Sequence, residues 1–328
     1  MLLGLIAFVQ AGSGLREKRL AFTQTRFSRI LGFHFKQMGF VKKTRGNPFS
    51  LRPLGLCKNK AFKKTTKSIE RVGEIAMTKM QQTILFDMDD TLLYCNKFFD
   101  MVIDQFADQM EAWFHGYRLS IEEIKKKQSE IDLERVLVSG FAPDHFPQSF
   151  VDTYEYYTDL TGRSKNDAEV KRLIELGASV YGHSIEPYPY MEETLRMLQE
   201  DGHTLHLYTG GDPTVQMRKV KEAELERFFG NRIYVTRHKN AEYLDGLIRA
   251  NGFDRNNTWM IGNSLRTDII PALKAGIHAI FMPAELEWAY NQVEVDVEPA
   301  GAYFTLSSLR YIPETIRDYT TAKITAGS

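Results

Sequence analysis

Five short apolar segments alternate with stretches of helical spacing after Met77, and this alternation restricts the fold more than any other feature. The predicted strands are Thr83–Phe86, Thr204–Tyr208, Arg232–Val235, Thr258–Ile261 and Ala279–Met282. Strands that alternate with helices form parallel sheets, and such strands are apolar because helices cover both of their faces. We therefore predict an α/β fold in which a Rossmann-like parallel sheet is the middle of three layers.

The stretch between the first two predicted strands, from about Lys97 to Ser184, has a helical rather than a strand-like sequence pattern. The segments "FFDMVIDQF" and "SKNDAEVKRL" place apolar residues at helical spacing. Ser120 and Glu123 have the spacing of a capping box, which marks the start of another helix. We predict an all-helical module at residues 97–184, inserted into a core made of residues 77–96 and 185–328.

The chain has two oppositely charged parts, although its formal net charge is zero. Residues 1–76 carry 16 Lys and Arg side chains against three Glu, whereas the remainder carries 26 against 39 Asp and Glu. Three interpretations of this basic N-terminal extension stay open: a mis-assigned start, a disordered basic leader, or a targeting peptide. Met77 and Met80, just before the first convincing strand, favour the first interpretation.

Composition excludes several classes of protein. No apolar run approaches the roughly 18–20 residues that span a bilayer, and a basic run alone is ordinarily a solvated tail. We therefore predict neither a membrane nor a nucleic-acid partner, and the oligomeric state stays open. The two cysteines, Cys57 and Cys95, give no disulfide framework and are compatible with a reducing compartment. We expect a cytoplasmic protein unless residues 1–76 are a genuine leader.

Polar residues follow the first three predicted strands of the core. Asp87 and Asp89 come after the first strand, and residues two apart in an extended segment point the same way. Thr209 ends the second strand, and Gly210 lets backbone N–H groups come close to an anion. Lys239 lies just after the third strand, at the head of a helix.

A similar group follows the fourth strand, where Asn263, Ser264 and Asp268 occupy the turn before a helix. Open α/β sheets bind ligands at the carboxyl ends of their strands, so all of these side chains are expected to face one site. At ~4 Å, two carboxylates repel by roughly 4 kcal/mol at an effective dielectric near 20. The clustered acids therefore indicate that a cation lies among them.

Residues from about Gln82 to Pro283 resemble the haloacid dehalogenase superfamily of hydrolases, most of which are Mg²⁺-dependent phosphatases. "TILFDMDDT" matches the first motif, hhhhDxDxT, completely, and Thr209 matches the second. The third-motif lysine corresponds to Lys239, with Lys219 and Lys221 as alternatives inside the preceding helix. The fourth motif is commonly G-D-x4-D, whereas this chain has Asn263 in place of its first acid.

The resemblance implies catalytic roles for the first motif. Asp87 would attack phosphorus and form an aspartyl-phosphate, while Asp89 would protonate the leaving oxygen and then activate water. Thr209, Gly210 and Lys239 would hold the phosphoryl oxygens.

The resemblance also implies a Mg²⁺ site made of oxygen donors. Its ligands would be Asp87, the backbone carbonyl of Asp89, and Asn263 and Asp268 of the fourth motif. Because an amide lacks negative charge, Asn263 implies weaker metal binding than an aspartate would give.

The helical insert occupies the place of the superfamily's C1 cap, which suits small phosphorylated metabolites as substrates. A metal-free haloacid dehalogenase is an alternative, since those enzymes carry Asn in the fourth-motif region. However, they lack the second acid of the first motif, which is present here as Asp89. A phosphonatase would need a suitably placed cap lysine, and a phosphomutase would release no net phosphate. A family member that binds a phosphorylated ligand without turnover is the non-enzymatic alternative.

Overall fold

The computed structural model describes residues 80–327 of the chain, with side chains described through residue 325. The interpretations of residues 1–76, including a start at Met77, fall outside the described residues. They stay predictions.

The described chain forms a six-stranded, fully parallel sheet in the order β3-β2-β1-β4-β5-β6. The strands are β1 (Thr83–Phe86), β2 (Thr204–Gly210), β3 (Ile233–Thr236), β4 (Thr258–Gly262), β5 (His278–Phe281) and β6 (Tyr303–Thr305). The predicted α/β class and its five strands are confirmed. Strand β6 was not anticipated from the sequence.

Strand β1 is central, with β2 on one side and β4 on the other. Its residues Ile84, Leu85 and Phe86 are completely buried, as expected for a parallel strand covered on both faces. In the register, Phe86 lies opposite Leu207 of β2 and Ile261 of β4. Strand β4 therefore ends one residue beyond β1, whereas β2 continues three residues further, to Gly210. The strand order reverses at β1, where open α/β sheets form a ligand crevice.

Four of the α-helices between β1 and β2 form the helical insert: α1 (Asn96–Trp113), α2 (Ile121–Ser139), α3 (His145–Thr161) and α4 (Asp167–Ser179). They enclose their own hydrophobic cluster, which includes Phe106, Phe150 and Leu173. The predicted capping box is confirmed, because Ser120 Oγ accepts from the N–H of Glu123 while the Glu123 carboxylate accepts from the N–H of Ser120. The domain boundaries at residues 97 and 184, and the action of the insert as a cap, stay predictions.

The two segments that join the insert to the sheet pair with each other. The N–H of Tyr94 donates to the carbonyl of Glu186 over 2.9 Å, and that of Tyr188 donates to Leu92 over 2.8 Å. The rings of Tyr94 and Tyr188 stack with centroids 4.0 Å apart. The insert therefore leaves and rejoins the sheet through one paired connection.

The helices that cover the sheet are α5 (Met191–Glu200), α6 (Pro213–Glu222), α7 (Glu226–Phe229), α8 (Ala241–Asn251), α9 (Ile270–Lys274) and α10 (Ile312–Gly327). Ile84 and Phe86 belong to the hydrophobic cluster on one face, and Leu85 to the cluster on the other. This alternation along β1 gives the three predicted layers. Within residues 80–327, no helix has the length and apolarity needed to cross a membrane.

Candidate active site

Asp87 directly follows β1, and its backbone N–H donates to the carbonyl of Ile261. Its side chain is buried at the level where the strands end, and Thr91 Oγ1 donates a hydrogen bond of 3.1 Å to Oδ2. Lys239 Nζ lies 2.5 Å from Oδ1. Burial raises the pKa of Asp87 to about 7, although the nearby Lys239 acts in the opposite direction.

Asp89 and Asp90 point to different surroundings. Asp89 is partly exposed and faces the same side as Asp87, where Lys219 Nζ donates to its Oδ1 over 2.8 Å. Asp90 has a positive φ of 55° and turns away, accepting hydrogen bonds from the backbone N–H groups of Cys95 and Asn96 at the start of α1. Asp90 therefore stabilises the turn into the insert.

The end of β2 places Thr209 and Gly210 against the insert. Thr209 is completely buried. A Cβ atom on Gly210 would lie 2.9 Å from the ring of Phe141, which follows α2. Glycine at position 210 therefore permits close contact between the insert and the sheet edge.

Helix α6 supplies two side chains to the site that the sequence motifs do not mark. Gln216 Nε2 lies within hydrogen-bonding distance of Thr209 Oγ1 (2.8 Å), the Gly210 carbonyl (2.9 Å) and Asp89 Oδ2 (2.9 Å). Lys219 was considered only as an alternative third-motif lysine, yet it contacts Asp89. The two residues are three apart in the helix that follows β2, so they lie on the same face of that helix. This spacing is the sequence signal that could have identified them as site residues.

Lys239 lies between β3 and α8, and its side chain is only 3% exposed. Its Nζ atom contacts Asp87 and also lies 2.5 Å from Oδ1 of Asp268. Burial alone would lower the pKa of Lys239, but the charges of Asp268 and Asp87 outweigh it and raise that pKa. Lys239 therefore balances the charge of two buried carboxylates.

The end of β4 is shaped around Asp268. The Asp268 Oδ2 atom accepts from the N–H of Ser264 over 2.9 Å. A Cβ atom on Gly262 would lie only 2.2 Å from the same oxygen, so glycine is required there. Asn263 is buried at 5% exposure, and its side-chain amide makes no hydrogen bond to any residue in the described range.

Six of the seven predicted site residues line one cavity of about 460 Å³ beneath the insert: Asp87, Asp89, Thr209, Gly210, Lys239 and Asn263. Asp268 does not line the cavity but contacts Lys239. Side chains from α1, α2 and α3 line the opposite wall. The cavity thus lies between the carboxyl ends of the strands and the helical insert.

The donors at this sheet edge fit a hard cation. Among the described residues, no group of three His, Cys, Asp or Glu side chains is arranged to hold a metal, so a cation would also need amide and backbone oxygens. The Asn263 amide has no hydrogen-bonding partner in the described chain, and Asp268 Oδ1 is buried with the Lys239 ammonium as its contact. With Asp87 alongside, these are oxygen donors of the type that Mg²⁺ prefers.

Comparison with known proteins identifies relatives that are named as phosphatases. The chain is 25% identical to the glyceraldehyde 3-phosphate phosphatase of Methanothermobacter thermautotrophicus over 219 residues, which cover 63% of this chain and 88% of that protein. It is 26% identical to the pyrophosphatase PpaX of Halalkalibacterium halodurans over 206 residues, covering 60% of this chain and 80% of that protein.

A crystal structure of a haloacid dehalogenase-like family hydrolase from Xanthomonas campestris has the same fold. Its TM-score is 0.58 at 21% identity, covering 74% of this chain and 96% of that one. The family model of haloacid dehalogenase-like hydrolases matches residues 81–276, which include all seven predicted site residues. The chain is therefore a member of the haloacid dehalogenase-like hydrolase family.

Proposed function

We propose that this protein is a Mg²⁺-dependent phosphatase that hydrolyses small phosphorylated metabolites through an aspartyl-phosphate on Asp87. The observation that carries the proposal is the position of Asp87, buried at the floor of the cavity between Lys239 and Thr91. The phosphatase names of the two curated relatives support the same reaction class.

In the first step, an oxygen of Asp87 attacks phosphorus, and the bond from phosphorus to the leaving oxygen breaks. The phosphoryl oxygens need donors close to Asp87. Lys239 supplies an ammonium at 2.5 Å from the carboxylate, and Thr209 and Gly210 lie at the end of the neighbouring strand. These groups hold the transferring phosphoryl group in place while its charge develops.

Asp89 moves the proton in both steps. It donates a proton to the leaving oxygen, then takes one from the water that attacks phosphorus and frees Asp87 and phosphate. Gln216 and Lys219 each contact one oxygen of this carboxylate, at 2.9 Å and 2.8 Å. These contacts orient Asp89 toward the cavity, so we assign Gln216 and Lys219 as positioning residues.

Mg²⁺ would be held by Asp87, the backbone carbonyl of Asp89, Asn263 and Asp268. Bound there, the cation would supply positive charge opposite the phosphoryl oxygens. The amide of Asn263 contributes an oxygen without negative charge, so we expect weaker binding than an acidic residue would give. Lys239 neutralises part of the same carboxylate pair.

The proposal is tested by measuring phosphate release from a panel of phosphorylated metabolites, with the full 328-residue chain and with Mg²⁺ or EDTA. Wild type should release phosphate only with Mg²⁺, and Asp87→Asn should lower the rate by at least about a thousandfold, since it removes the nucleophile. Asp108→Asn is the matched control, because Asp108 is an exposed carboxylate of α1. Equal rates for wild type and Asp87→Asn would refute the mechanism.

Asn263 makes haloacid dehalogenation a second candidate, because it removes one acid from the metal site. The presence of Asp89 favours phosphate chemistry instead. Incubation with 2-chloropropionate and EDTA separates the two: chloride release without Mg²⁺ would support the dehalogenase, and its absence alongside phosphate release supports the phosphatase.

A further inference from the structure

The insert places a buried carboxylate without a partner on the cavity wall that faces the strand ends. Asp132 of α2 is 8% exposed and lines the cavity, and within the described chain it makes neither a hydrogen bond nor an ion pair. The nearest arginine and the one lysine of α2 that lines the cavity are already paired: Arg135 bonds to Asp152, and Lys125 bonds to Asp104. Asp132 therefore directs an uncompensated negative charge into the cavity.

The remainder of this wall mixes polar side chains with apolar ones such as Phe99 and Val136, and its one lysine within residues 80–325, Lys125, is already paired. Asp100 of α1 lines the same cavity and is also without an ion pair among the described residues. Tyr181 lines the same cavity, and burial together with the charge of Asp132 raises the pKa of its hydroxyl. The Nδ1 atom of His145 is buried without a hydrogen-bonding partner in the part of the chain that the structure describes. The wall thus offers acceptors and a net negative charge to whatever fills it.

A buried charge without a partner destabilises a protein, so Asp132 is better explained by something that enters the cavity than by the fold alone. Burial raises the pKa of Asp132 to about 6, while Arg135 acts in the opposite direction. The carboxylate therefore remains mostly ionised at neutral pH. A cationic ligand group would restore its charge balance, whereas an anionic group would be repelled.

The phosphoryl group of a substrate belongs at the other end of the cavity, beside Asp87 and Lys239. Its leaving group then extends toward the insert, whose wall includes Asp132. We propose that the preferred substrate is a phosphomonoester whose leaving group carries a protonated amine, and that Asp132 binds this ammonium. This inference rests on the proposed phosphatase function and names its substrate class.

Two matched sets of phosphomonoesters test the inference with the full-length chain and Mg²⁺. The two-carbon set is 2-aminoethyl phosphate, 2-hydroxyethyl phosphate and 2-phosphoglycolate. The six-carbon set is glucosamine 6-phosphate, glucose 6-phosphate and 6-phosphogluconate. Within each set the leaving group changes from cationic to neutral to anionic at similar size, so kcat/KM ratios report charge recognition.

In at least one set, we expect kcat/KM for the amine to exceed that for the neutral member by roughly tenfold or more, with the anionic member lowest. Asp132→Asn keeps the shape but removes the charge, and it should bring the amine-to-neutral ratio to within about threefold. Asp108→Asn, on the exposed side of α1, should keep the wild-type ratio. Because each ratio is taken within one variant, it does not depend on the folded fraction.

The outcomes distinguish a failure of the inferred substrate class from a failure of the proposed phosphatase function. If wild type prefers the neutral or anionic members in both sets, or if Asp132→Asn keeps the amine preference, the inference is wrong while the phosphatase function stands. If no member of either set releases phosphate, or if Asp87→Asn releases it equally well, the proposed function itself fails.

Discussion

Lys239 and Asp268 meet at the edge of the sheet, where Nζ of the lysine lies 2.5 Å from Oδ1 of the aspartate. The two side chains are 3% and 0% exposed, and the same ammonium contacts Asp87. Removing one partner from a buried ion pair leaves a charge that neither water nor a counterion stabilises. The lysine therefore has a structural role in addition to the phosphate-binding role we propose.

Lys239→Met should destabilise the metal-free protein by about 3–5 kcal/mol, because it leaves Asp87 and Asp268 buried without their cation. Urea denaturation at pH 7.5 in EDTA measures this loss. Lys274→Met is the matched control, since Lys274 is exposed in the last turn of α9, and it should change stability by less than about 0.5 kcal/mol. Equal stabilities for the two variants would show that Lys239 does not balance these carboxylates.

Asn263→Asp should strengthen Mg²⁺ binding by about tenfold or more, since a charged ligand replaces a neutral one. The increase in melting temperature with added Mg²⁺ reports binding without requiring turnover. In EDTA the same variant should be less stable than wild type by roughly 1–3 kcal/mol, because it buries another acid beside Asp87. Asn263→Leu, which has no oxygen to offer, should show less Mg²⁺ stabilisation than wild type. Equal responses in all three proteins would place the metal elsewhere.

The five predicted strands were accessible from the sequence because each is a short, mainly apolar segment. This holds even for β3, which is a half-buried edge strand. Strand β6 was not accessible, since Tyr303–Thr305 is a three-residue edge strand that is only partly buried. Helix α3 lies in the segment predicted to be all-helical, but its position was not identified. Its sequence "HFPQSFVDTYEYYTDLT" includes a proline and several β-branched and aromatic residues, and it is stabilised by packing in the cluster of the insert.

The convergence of the site residues was predictable because parallel strands end at one edge, so Asp87, Thr209 and Asn263 had to lie near each other. Their individual contacts were not predictable. Gln216 and Lys219 reach the site from inside a helix, where no motif marks them. The unpaired state of Asp132 depends on how α2 packs against the sheet edge, which periodicity does not specify.

Gly262→Ala should destabilise the protein by roughly 2 kcal/mol or more and abolish activity, because its Cβ would lie 2.2 Å from Asp268 Oδ2. Thermal unfolding and phosphate release measure the two effects. Gly246→Ala is the contrasting variant, as Gly246 lies inside α8 with no described atom within 4 Å of the position its Cβ would take, and it should increase stability by about 1 kcal/mol. A neutral Gly262→Ala variant would mean that Asp268 is free to move.

His206 in β2 should make the protein less stable as pH falls from about 6.5 toward 4. Burial and the nearby Arg232 lower its pKa to about 4, and its Nδ1 atom has no hydrogen-bonding partner among the described residues. Below pH 6.5 the unfolded chain binds a proton that the folded chain resists, so unfolding becomes easier by at most about 3 kcal/mol. His206→Phe removes this proton uptake and retains ring packing against Tyr234 and Phe253.

Chemical denaturation of wild type and His206→Phe at pH 7.5, 6.0 and 5.0 isolates the histidine, because every other titrating group is common to both proteins. The free energy of unfolding of wild type should fall relative to that of the variant as pH decreases. His115→Phe, at an exposed position after α1, should show no such divergence. If the His206→Phe and wild-type curves stay parallel, the proton is accommodated in the folded state, and β2 must admit water or a counter-charge beside the His206 ring.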